Sequence, residues 1–420
     1  MAKALTREPS LAGDPLGGMH PVSELMEYHQ FLKLVFSEIG PIASFEKITL
    51  PEAVGRVLAT DFRARRSIPD FRRSNFDGYA VRAVDTAGAS KSSPVKLSLS
   101  GFSKPGKPYS RALGQSECVR IFTGAALPRG ADAVVMVEYT EASGGTIRVF
   151  EEVASGSRYD DVGADIRRGS LLLPRGRRIR PLDLPIIASQ GVDSLKVTVR
   201  PKVLVVPTGN EVKPVGSRLK NGEIYDANSL AVAELTRKRG AIVMPLAPVR
   251  DSPQAISDIL SRYSGHYHMI AFIGGSSAGA EDYIARLVAE KGKVFVHGIA
   301  ISPGRPTLFG CVGKTLVLGI PGHPASSVAV TVLAAYPIVD RLSGAIEDAP
   351  CSYVRLASQP DCPKELTCLR TVRATGASAT LAYRSSSQLS SFLNSDGYIL
   401  TDANAAAANR DDGWVRLHFF

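Results

Sequence analysis

Cysteine and aromatic residues are scarce in this sequence of 420 residues, which has five cysteines and an aromatic content of 7%. No two cysteines form a Cys-x-x-Cys pair, and an odd, sparse set in so long a chain is typical of free thiols in a reducing compartment. Cys351, Cys362 and Cys368 cluster towards the C-terminus, but no histidine lies beside them at the spacing of a zinc site. We therefore predict free thiols and no zinc site.

Long hydrophobic runs and targeting signals are also missing. No stretch of about 18 apolar residues occurs, and no basic, apolar leader with a small-residue cleavage site opens the chain. We therefore expect a cytoplasmic protein with no membrane partner. Hydrophobic residues make up 44% and charged residues 21%, which fits a globular chain and excludes wholesale disorder, collagen and repeat arrays.

The net charge is +10, from 50 Lys+Arg against 40 Asp+Glu, and it favours an anionic ligand such as a phosphate or an oxyanion. The cations lie in short clusters, for example Arg72-Arg73 and Arg167-Arg168, without interleaved aromatic residues. A groove that binds single-stranded nucleic acid requires such interleaving, because the bases stack on aromatic rings. Nucleic acid is therefore not an expected partner, and most of these clusters are expected to be solvated surface charge.

The chain is predicted to fold as several domains, because domains usually run to about 100–200 residues. Residues 1–20 show little periodicity and are expected to form a flexible tail. Helical periodicity after the tail, and again near residues 182–190, predicts a helical linker domain in two parts, residues 21–61 and 153–198. Period-two alternation and β-rich runs between these parts predict an inserted β domain, residues 62–152.

Residues 199–345 alternate apolar strands with amphipathic helices, which predicts a parallel α/β sheet with its ligand at the carboxyl ends of the strands. Its strands are expected at residues 203–206, 242–246, 269–273, 294–296 and 315–318. Residues 346–420 contain short β runs with turns expected at Gly376, Gly397 and Gly413, which predicts a small C-terminal β domain. The expected fold class is a multidomain α/β plus β protein.

Glycine-containing loops follow apolar strands of the predicted sheet at residues 208–211, 274–279 and 319–324. Glycine lets the backbone approach an anion closely, and a helix N-terminus offers unpaired N–H donors with partial positive charge. Together the loops predict a phosphate or oxyanion pocket at the carboxyl edge of the sheet. The second loop, Gly-Gly-Ser-Ser-Ala-Gly, lacks the lysine of a Walker P-loop and the spacing of a dinucleotide fingerprint, so neither is predicted.

Acidic residues stand beside these loops, namely Glu211, Asp226, Asp251 and Asp282. Clustered carboxylates are ligands of hard cations, and Mg²⁺ normally uses one or two of them together with substrate phosphates. The alternative is structural, since Asp251 can assist a helix that begins at Ser252-Pro253 and Asp282 can be a first-turn acid favoured by the helix dipole. Both interpretations stay open on the sequence alone.

Two turns near this edge carry polar side chains. In Ser302-Pro303-Gly304-Arg305-Pro306 the guanidinium can grip an oxyanion with parallel N–H donors, or it can be a solvated surface charge. His323, beside two prolines, is interpreted as a turn or capping residue rather than a catalytic one. In the inserted β domain, Asp77 precedes Gly78 and Thr123 precedes Gly124, and each can be an ordinary turn or a polar site. No Ser/His/Asp or Cys/His order indicates nucleophilic catalysis.

The order of these motifs resembles that of one known family. The motifs are Ser74-x-x-Asp77-Gly78-Tyr79-Ala80-Val81, Thr123-Gly124, Gly163-x-Asp165-Ile166, Thr208-Gly209-Asn210-Glu211, Gly274-Gly275-x-Ser277-x-Gly279, Pro303-Gly304-Arg305-Pro306 and Pro321-Gly322-His323-Pro324-x-Ser326. From about residue 21 to the end, the chain resembles the molybdopterin molybdenumtransferases, the family of bacterial MoeA and the gephyrin E domain. The resemblance implies the same domain architecture in an elongated homodimer, with an active site in the cleft between protomers.

The resemblance also implies an activity, which is insertion of molybdate or tungstate into adenylylated molybdopterin with the help of Mg²⁺ and release of AMP. Other cofactor-synthesis proteins and molybdoenzyme apoproteins would be further partners. By that match Asp77, Thr123 and Asp165 would line the cleft from one side. From the other side, Glu211, Asp251 and Asp282 would position metal and substrate, Gly275, Ser277 and Gly279 would hold the pterin phosphate, and Ser302, Arg305, Pro321 and Ser326 would bind the oxyanion.

Some positions depart from the family pattern. Many members have Asp-Asn in place of Arg72-Arg73, Lys-Pro-Gly-Lys-Pro in place of residues 302–306, and Asn in place of His323; these changes concern the oxyanion rather than the fold. Two other functions remain as alternatives. One is a molybdopterin adenylyltransferase, which needs only the α/β domain. The other is a non-catalytic scaffold. The acidic residues of the motifs make this alternative less favoured, because buried charges lower stability and a scaffold has no need to keep them.

Overall fold

The computed structural model describes residues 25–275, 283–346, 351–401 and 414–420, which fold into two compact units. One unit comprises Asp61–Arg175 together with Leu182–Asp193. The other comprises Gly176–Pro181, the described part of Ser194–Phe420 and the described residues before Asp61.

The first half of the chain is mostly short strands. In order it contains α1 (Tyr28–Glu38), β1 (Phe45–Thr49), β2 (Phe62–Arg63), β3 (Arg73–Ser74), β4 (Gly78–Val81), β5 (Val95–Ser103), β6 (Glu117–Ile121), β7 (Ala133–Met136), β8 (Thr140–Ser143), β9 (Thr146–Val149), β10 (Tyr159–Asp160), β11 (Leu171–Leu173), α2 (Asp183–Ser189) and β12 (Ser194–Thr198).

The second half carries most of the helices. In order it contains β13 (Lys202–Pro207), β14 (Val212–Lys213), β15 (Ile224–Tyr225), α3 (Asn228–Lys238), β16 (Ile242–Pro245), α4 (Pro253–Tyr263), β17 (Met269–Ile273), α5 (Tyr283–Lys291), β18 (Lys293–His297), β19 (Ile301–Ser302), β20 (Leu308–Val312), β21 (Thr315–Ile320), α6 (Pro324–Val330), α7 (Tyr336–Ser343), β22 (Cys351–Leu356), β23 (Thr367–Thr375), β24 (Ser378–Leu381), β25 (Gly397–Thr401) and β26 (Trp414–Phe419).

The unit built around Asp61–Arg175 contains a six-stranded sheet in the order β7-β4-β6-β5-β9-β8. Strand β9 alternates more and less buried residues, as the period-two pattern predicts, whereas β4 is buried at every residue and β7 at three of its four residues. Strands β4 and β7 approach closely at Gly78, where a Cβ atom would lie 2.0 Å from the carbonyl oxygen of Val135. Gly78 is therefore required for close backbone packing, rather than for a turn alone.

The segment before Asp61 is less helical than predicted. Helix α1 is amphipathic and buries Phe31 and Val35, one turn apart, and the Phe31 ring meets Phe309 of β20 edge to face. After α1, the segment before Asp61 contains only a 3₁₀ turn, Pro51–Ala53, as further helical structure. Residues 45–49 form a strand that pairs antiparallel with β12, so strand pairing joins the two sequence segments.

The α/β sheet has the strand order β16-β13-β17-β21-β20-β18. Strands β16, β13, β17 and β21 are parallel, but β20 runs antiparallel to both of its neighbours. The predicted parallel α/β sheet is therefore present, but it includes one antiparallel strand, at residues 308–312, that was not predicted. The physical reason is the connection from β20 to β21: only Gly313 and Lys314 separate the paired ends, and so short a loop permits only a hairpin.

Helices on the two faces of this sheet bury two apolar clusters. Ser252 is the N-cap of α4 and accepts a hydrogen bond from the main-chain N of Ala255, and Pro253 is the first helical residue, as predicted. Helices α6 and α7 are joined by a π-helical segment, Thr331–Ala335, into one continuous rod.

That rod, Pro324–Ser343, is the one helix among the described residues that is long and apolar enough to cross a membrane. Its most apolar window is 83% buried inside the protein, as is usual for the core helix of a globular fold. Its Ser and Thr hydroxyls are satisfied locally, since Ser327 Oγ donates to Pro321 O and Thr331 Oγ1 donates to Ser327 O, both at 2.7 Å. The helix is therefore only weak evidence for a membrane span.

The C-terminal strands form a second six-stranded sheet, in the order β19-β23-β24-β22-β26-β25. The turn predicted at Gly376 is present between β23 and β24. The turn predicted at Gly397 is wrong, because Gly397 begins β25 and a Cβ atom there would lie 2.1 Å from His418 O. Gly413 lies outside the described residues.

The cysteines also differ from the prediction. Cys362 and Cys368 form a disulfide, whereas Cys118, Cys311 and Cys351 are free. The expectation of free thiols throughout is therefore wrong for one pair. Spacing alone did not reveal the pairing, because the two cysteines are six residues apart without a Cys-x-x-Cys motif, and the disulfide requires the loop that carries Cys362 to fold back onto the strand that carries Cys368.

Candidate functional site

The loops predicted to bind an anion lie at one edge of the α/β sheet. The neighbouring parallel strands β13, β17 and β21 end there, so residues 208–211, 274–275 and 321–324 leave the sheet side by side. Main-chain hydrogen bonds tie the loops together, because Thr208 N donates to Ile273 O at 2.8 Å and Gly274 N donates to Ile320 O at 2.9 Å. The shared edge expected from the sequence is therefore present.

Gly275 lies at the centre of this edge. A Cβ atom added there would lie 3.1 Å from Thr208 Oγ1 and 3.2 Å from Asp251 Oδ1, so a hydroxyl and a carboxylate border its backbone. Gly275 also has a φ of +66°, in the left-handed region that favours glycine. Of the predicted phosphate-binding residues Gly275 is described, whereas Ser277 and Gly279 lie outside the described residues.

The acidic residues at this edge fall into separate groups. Glu211 folds back on its own turn, because a Cβ atom on Gly209 would lie 2.9 Å from both carboxylate oxygens of Glu211. Asp251 is half-buried beside Gly275 and Thr208. Asp282 lies outside the described residues, and within the described ranges no group of three His, Cys, Asp or Glu side chains could hold a metal. The predicted metal set therefore stays a prediction.

Asp226 has a structural role instead. Its carboxylate accepts hydrogen bonds from the main-chain N of Ser229, at 3.0 Å, and from Ser229 Oγ, at the beginning of α3. The neighbouring Asn228, which the sequence did not single out, donates through Nδ2 to Gly322 O at 2.7 Å. This contact holds the Pro-Gly-His-Pro turn against α3. The only feature of the sequence that could have drawn attention to Asn228 is its position at the start of a helix. An Asn at that position indicates helix capping and does not indicate a contact with a distant loop.

The third loop packs against the C-terminal strands. Pro321 and Ser326 are buried, and His323 occupies the N-cap position of α6 without a side-chain cap, which agrees with a turn role. The His323 Nδ1 atom lies 3.3 Å from Ser386 Oγ, and Ala325 N donates to Ser386 O at 3.0 Å. The C-terminal sheet therefore supports the loop that carries Ser326.

The cationic turn at residues 302–306 rests on the same helix. A Cβ atom on Gly304 would lie 2.7 Å from Val330 Cγ2, and Val330 is one helical turn beyond Ser326. Arg305 is exposed, whereas Ser302 is half-buried and its carbonyl accepts a hydrogen bond from Arg370 Nη1 at 2.9 Å. The turn at residues 302–306 thus contacts α6 at Val330, and the grouping of Ser302 and Arg305 with Ser326 stays a prediction.

A second polar cluster lies in the other unit. Asp77 Oδ1 accepts hydrogen bonds from Thr123 N at 2.7 Å and from Thr123 Oγ1 at 2.9 Å. These main-chain and side-chain hydrogen bonds, and to a smaller extent the charge of Arg120, hold the pKa of the Asp77 carboxyl below its ordinary value. Arg120 stacks on Tyr79 and donates to Gly78 O at 3.1 Å, so it braces the Asp77-Gly78 turn.

Asp165 does not join this pair. It is exposed, and its main-chain N donates to Ile68 O at 3.0 Å. The predicted residues therefore divide between the two units, with Asp77, Thr123 and Asp165 in one and all the described others in the second unit. The sequence analysis did not single out Arg120, because an isolated arginine within a predicted strand does not by itself indicate a role in a site.

Comparison with known proteins shows which chains share these features. Residues 26–191 match the family described as the MoeA N-terminal region (domain I and II), and residues 205–341 match a probable molybdopterin binding domain. The chain is 32% identical to the molybdopterin molybdenumtransferase of Haemophilus influenzae over 71% of this chain and 73% of that protein. It is 34% identical to molybdopterin molybdenumtransferase 2 of Mycobacterium tuberculosis over 67% of this chain and 71% of that protein.

Solved structures give the same result. The crystal structure of a molybdopterin biosynthesis moeA protein from Pyrococcus horikoshii aligns with a TM-score of 0.80 at 26% identity, covering 94% of this chain and all of that one. A second structure of a moeA protein, recorded from Pyrococcus horikosii, aligns with a TM-score of 0.78 at 29% identity and covers 94% of this chain and 99% of that chain. The expected multidomain α/β plus β fold class is therefore confirmed.

Proposed function

Because this chain belongs to the molybdopterin molybdenumtransferase family of enzymes, we propose that it inserts molybdate or tungstate into adenylylated molybdopterin and releases AMP. The observation that carries the proposal is the edge of the α/β sheet, where the Gly275 backbone, the Thr208 hydroxyl and the Asp251 carboxylate meet. At such an edge a ligand can come close to the backbone of Gly275, accept hydrogen bonds from nearby donors and lie beside the negative charge of Asp251. It suits a phosphate that binds together with a cation.

A divalent cation fits the donors that the described residues offer. Glu211 and Asp251 supply carboxylate oxygens at the same edge of the sheet, and Mg²⁺ commonly uses one or two such ligands plus phosphate oxygens. When bound there, the ion would polarise the phosphoanhydride and offset its charge. Thr208 and Gly275 orient the phosphate, because their positions are set by main-chain hydrogen bonds between strands rather than by flexible side chains.

The oxyanion is assigned to the turn at residues 302–306 and the beginning of α6. Arg305 is exposed and offers a guanidinium, and Ser326 in the first turn of α6 offers a hydroxyl. Molybdate and tungstate are tetrahedral dianions, so positive charge and N–H donors are what either requires. We therefore propose that the site accepts either molybdate or tungstate.

The Asp77–Thr123 pair, with Asp165 of the same unit, is proposed as a further part of the site. The hydrogen bonds from Thr123 lower the pKa of Asp77, so its carboxylate is suited to accept a hydrogen bond from the substrate rather than to take up a proton. The complete site is proposed to form in a homodimer in the cytoplasm. Analytical ultracentrifugation at micromolar concentration tests this point, and a monomeric mass would contradict it.

The experiment that tests the activity is a discontinuous assay with purified protein, adenylylated molybdopterin and Mg²⁺. AMP release and formation of active cofactor are measured while molybdate and tungstate are titrated separately. We expect AMP release that depends on the oxyanion. Release of AMP without the oxyanion would indicate simple hydrolysis, and formation of the adenylylated compound from ATP would indicate an adenylyltransferase. No turnover with either oxyanion would favour a scaffold.

A matched pair of variants ties the activity to the proposed edge. Asp251→Asn removes the charge beside Gly275 while keeping the shape, and it should lower kcat by about 100-fold or more. Asp258→Asn is the control, because Asp258 is exposed on α4 and only accepts a hydrogen bond from Gln254. Equal activity of the two variants would contradict the placement of the site.

A further inference from the structure

The Cys362–Cys368 disulfide lies where the C-terminal sheet is attached to the α/β part of the same compact unit. Cys368 is on β23, which pairs in parallel with the two residues of β19, and Cys368 stands opposite Ser302. The attachment continues one residue earlier, where Thr367 N donates to Ala300 O at 2.9 Å. The disulfide therefore borders a short strand pairing that joins two parts of the fold.

The loop that precedes β23, residues 357–366, has few other attachments in the described part of the chain. Leu366 belongs to a small apolar cluster with Ala300, and Asp361 O accepts a hydrogen bond from Arg370 Nη2 at 2.9 Å. The three residues before Leu366 are exposed. Segments with little apolar burial open easily, so the covalent link is a main constraint on this loop.

The two sulfur atoms of the disulfide differ in access. Cys362 is half-buried in the loop, whereas Cys368 is fully buried in its strand, with an exposed fraction of 0%. Redox-sensing sites often combine an accessible cysteine with a neighbouring one that closes the disulfide. A small thiol can therefore reach the pair at Cys362, and Cys368 is in place to form the bond again.

A permanent structural link is not what this chain requires. The unit that holds the disulfide contains two extensive apolar clusters, so it differs from the small scaffolds that need covalent links to fold. Disulfides are rare in the cytoplasm, and those that occur there are usually transient and redox-sensing. The cytoplasmic location is part of the proposed function, and this step of the argument rests on it.

We propose that Cys362 and Cys368 form a reversible oxidation site, which exchanges with small thiols of the glutathione class and sets how firmly the loop 357–366 is held. For reduction, a glutathione thiolate attacks Sγ of Cys362, and Cys368 leaves as a thiolate. A second glutathione thiolate attacks the glutathione sulfur of the mixed disulfide and releases Cys362. The protein gains two electrons and two protons, and two glutathione molecules become one glutathione disulfide. Oxidation follows the same steps in reverse.

The first experiment measures the exchange in the full chain. It uses the Cys351→Ser variant, because Cys351 is an exposed free thiol that would react with glutathione on its own. Of five cysteines this variant keeps four, and two of these, Cys118 and Cys311, are free. After incubation with reduced glutathione and alkylation in denaturant, mass spectrometry should find four labelled cysteines. Transfer of the reduced protein to glutathione disulfide should return the count to two.

The second experiment measures the effect on the loop by hydrogen exchange of the oxidised and reduced protein. The amides of Leu366 and Thr367 both donate hydrogen bonds, to Pro363 O and Ala300 O, and their exchange should become about 10-fold faster on reduction. The amide of Ala382 is the internal control, because it donates to Thr371 O elsewhere in the same sheet, and its exchange should not change.

A matched variant checks that the covalent bond is the cause. Cys362→Ser in the same background should exchange like the reduced protein, whether or not glutathione disulfide is present. If that variant does not fold, the reduced parent chain decides. None of these measurements requires turnover, so their outcome is independent of whether AMP is released.

Three results would overturn the proposal. A disulfide that survives excess reduced glutathione would be a permanent link. Equal exchange at Leu366 and Thr367 in the two states would show that the bond does not control the loop. Faster exchange at Ala382 as well would show that reduction unfolds the sheet, which is the behaviour of a structural disulfide.

Discussion

Asp77 accepts two hydrogen bonds at a single carboxylate oxygen, both from Thr123, one from its main-chain N and one from its hydroxyl. The pair joins the turn before β4 to the turn after β6, which are 46 residues apart in sequence. Both residues are exposed, so the pairing presents an ionised carboxylate to solvent in a defined orientation.

Thr123→Val should raise the pKa of Asp77. The substitution removes the hydroxyl donor and leaves the main-chain donor, so the pKa moves part of the way back to the ordinary value of 3.8. In the parent protein the depressed pKa stabilises the fold above the pKa of the unfolded chain, and this contribution disappears as pH falls through the folded pKa. The two proteins should therefore differ in stability at neutral pH and converge in acid.

The measurement is a carboxyl ¹³C NMR titration of Asp77, together with thermal unfolding at pH 7 and in acid. Thr140→Val is the control, because Thr140 Oγ1 donates to the carbonyl of Val137 and touches no acid. An Asp77 pKa that is the same in the parent and in Thr123→Val would show that the hydroxyl hydrogen bond does not stabilise the charge.

Asp340→Asn should destabilise the unit that contains the α/β sheet. The Asp340 carboxylate, 17% exposed on α7, pairs with Arg178 at 3.0 Å and with Arg239 through hydrogen bonds of 2.8 and 2.9 Å. Loss of its charge would remove the carboxylate that both half-buried guanidinium groups share, and breaking a buried ion pair costs about 3–5 kcal/mol in comparable cases. Urea unfolding followed by circular dichroism measures the change, with Asp258→Asn as the exposed control; a loss below about 1 kcal/mol would contradict the buried network.

Gly78→Ala should destabilise the six-stranded sheet of the other unit. The added Cβ atom would lie 2.0 Å from Val135 O, which is a backbone atom and cannot rotate away, so β4 and β7 would have to separate. Overpacking of this kind costs about 3 kcal/mol. Gly40→Ala is the control, because nothing lies within 4 Å of a Cβ atom there. Thermal unfolding of the two variants tests the prediction, and equal midpoints would show that the strands can move apart.

The disulfide between Cys362 and Cys368 can be checked by thiol labelling. Alkylation of the denatured protein without reductant should label three cysteines, and all five should be labelled after reduction. Cys362→Ser should lower the stability by about 2 kcal/mol, because a short covalent loop no longer restricts the unfolded chain. Cys351→Ser, at an exposed free thiol, is the control. Labelling of five cysteines without reductant would restore the expectation of free thiols.

Patterns that span a few residues predicted much of the site. Apolar runs such as residues 203–206 and 269–273 indicate buried strands, and the glycine-rich loops that follow them must leave the same edge of a parallel sheet. Asp251 was therefore expected near these loops, and the contact with Gly275 is what the structure adds. The signal is strong because strand direction and side-chain type are both local properties.

Other features had no local signal. Gly397 was predicted as a turn because glycine is common in turns, but here it permits close contact between β25 and β26. Arg370 stands in a strand that shows no motif, and Asn228 contacts a loop that is 94 residues away in sequence. Each role depends on a partner that is distant in the chain.

The sequence by itself determined the strands and helices of the α/β part, the polar loops at one sheet edge and the family to which the chain belongs, because these depend on residue type and spacing. Only the tertiary structure decided that β20 runs antiparallel, that Cys362 bonds to Cys368, and that Arg370 donates a hydrogen bond to the Ser302 carbonyl. The contact between Arg370 and Ser302 joins segments 68 residues apart in the chain, whereas the antiparallel pairing and the disulfide join residues that are near in sequence and face each other only in the folded chain. The free energy of such contacts depends on how deeply the groups are buried and on the distance between them in the folded chain. Neither quantity can be calculated from residue types and their spacing alone.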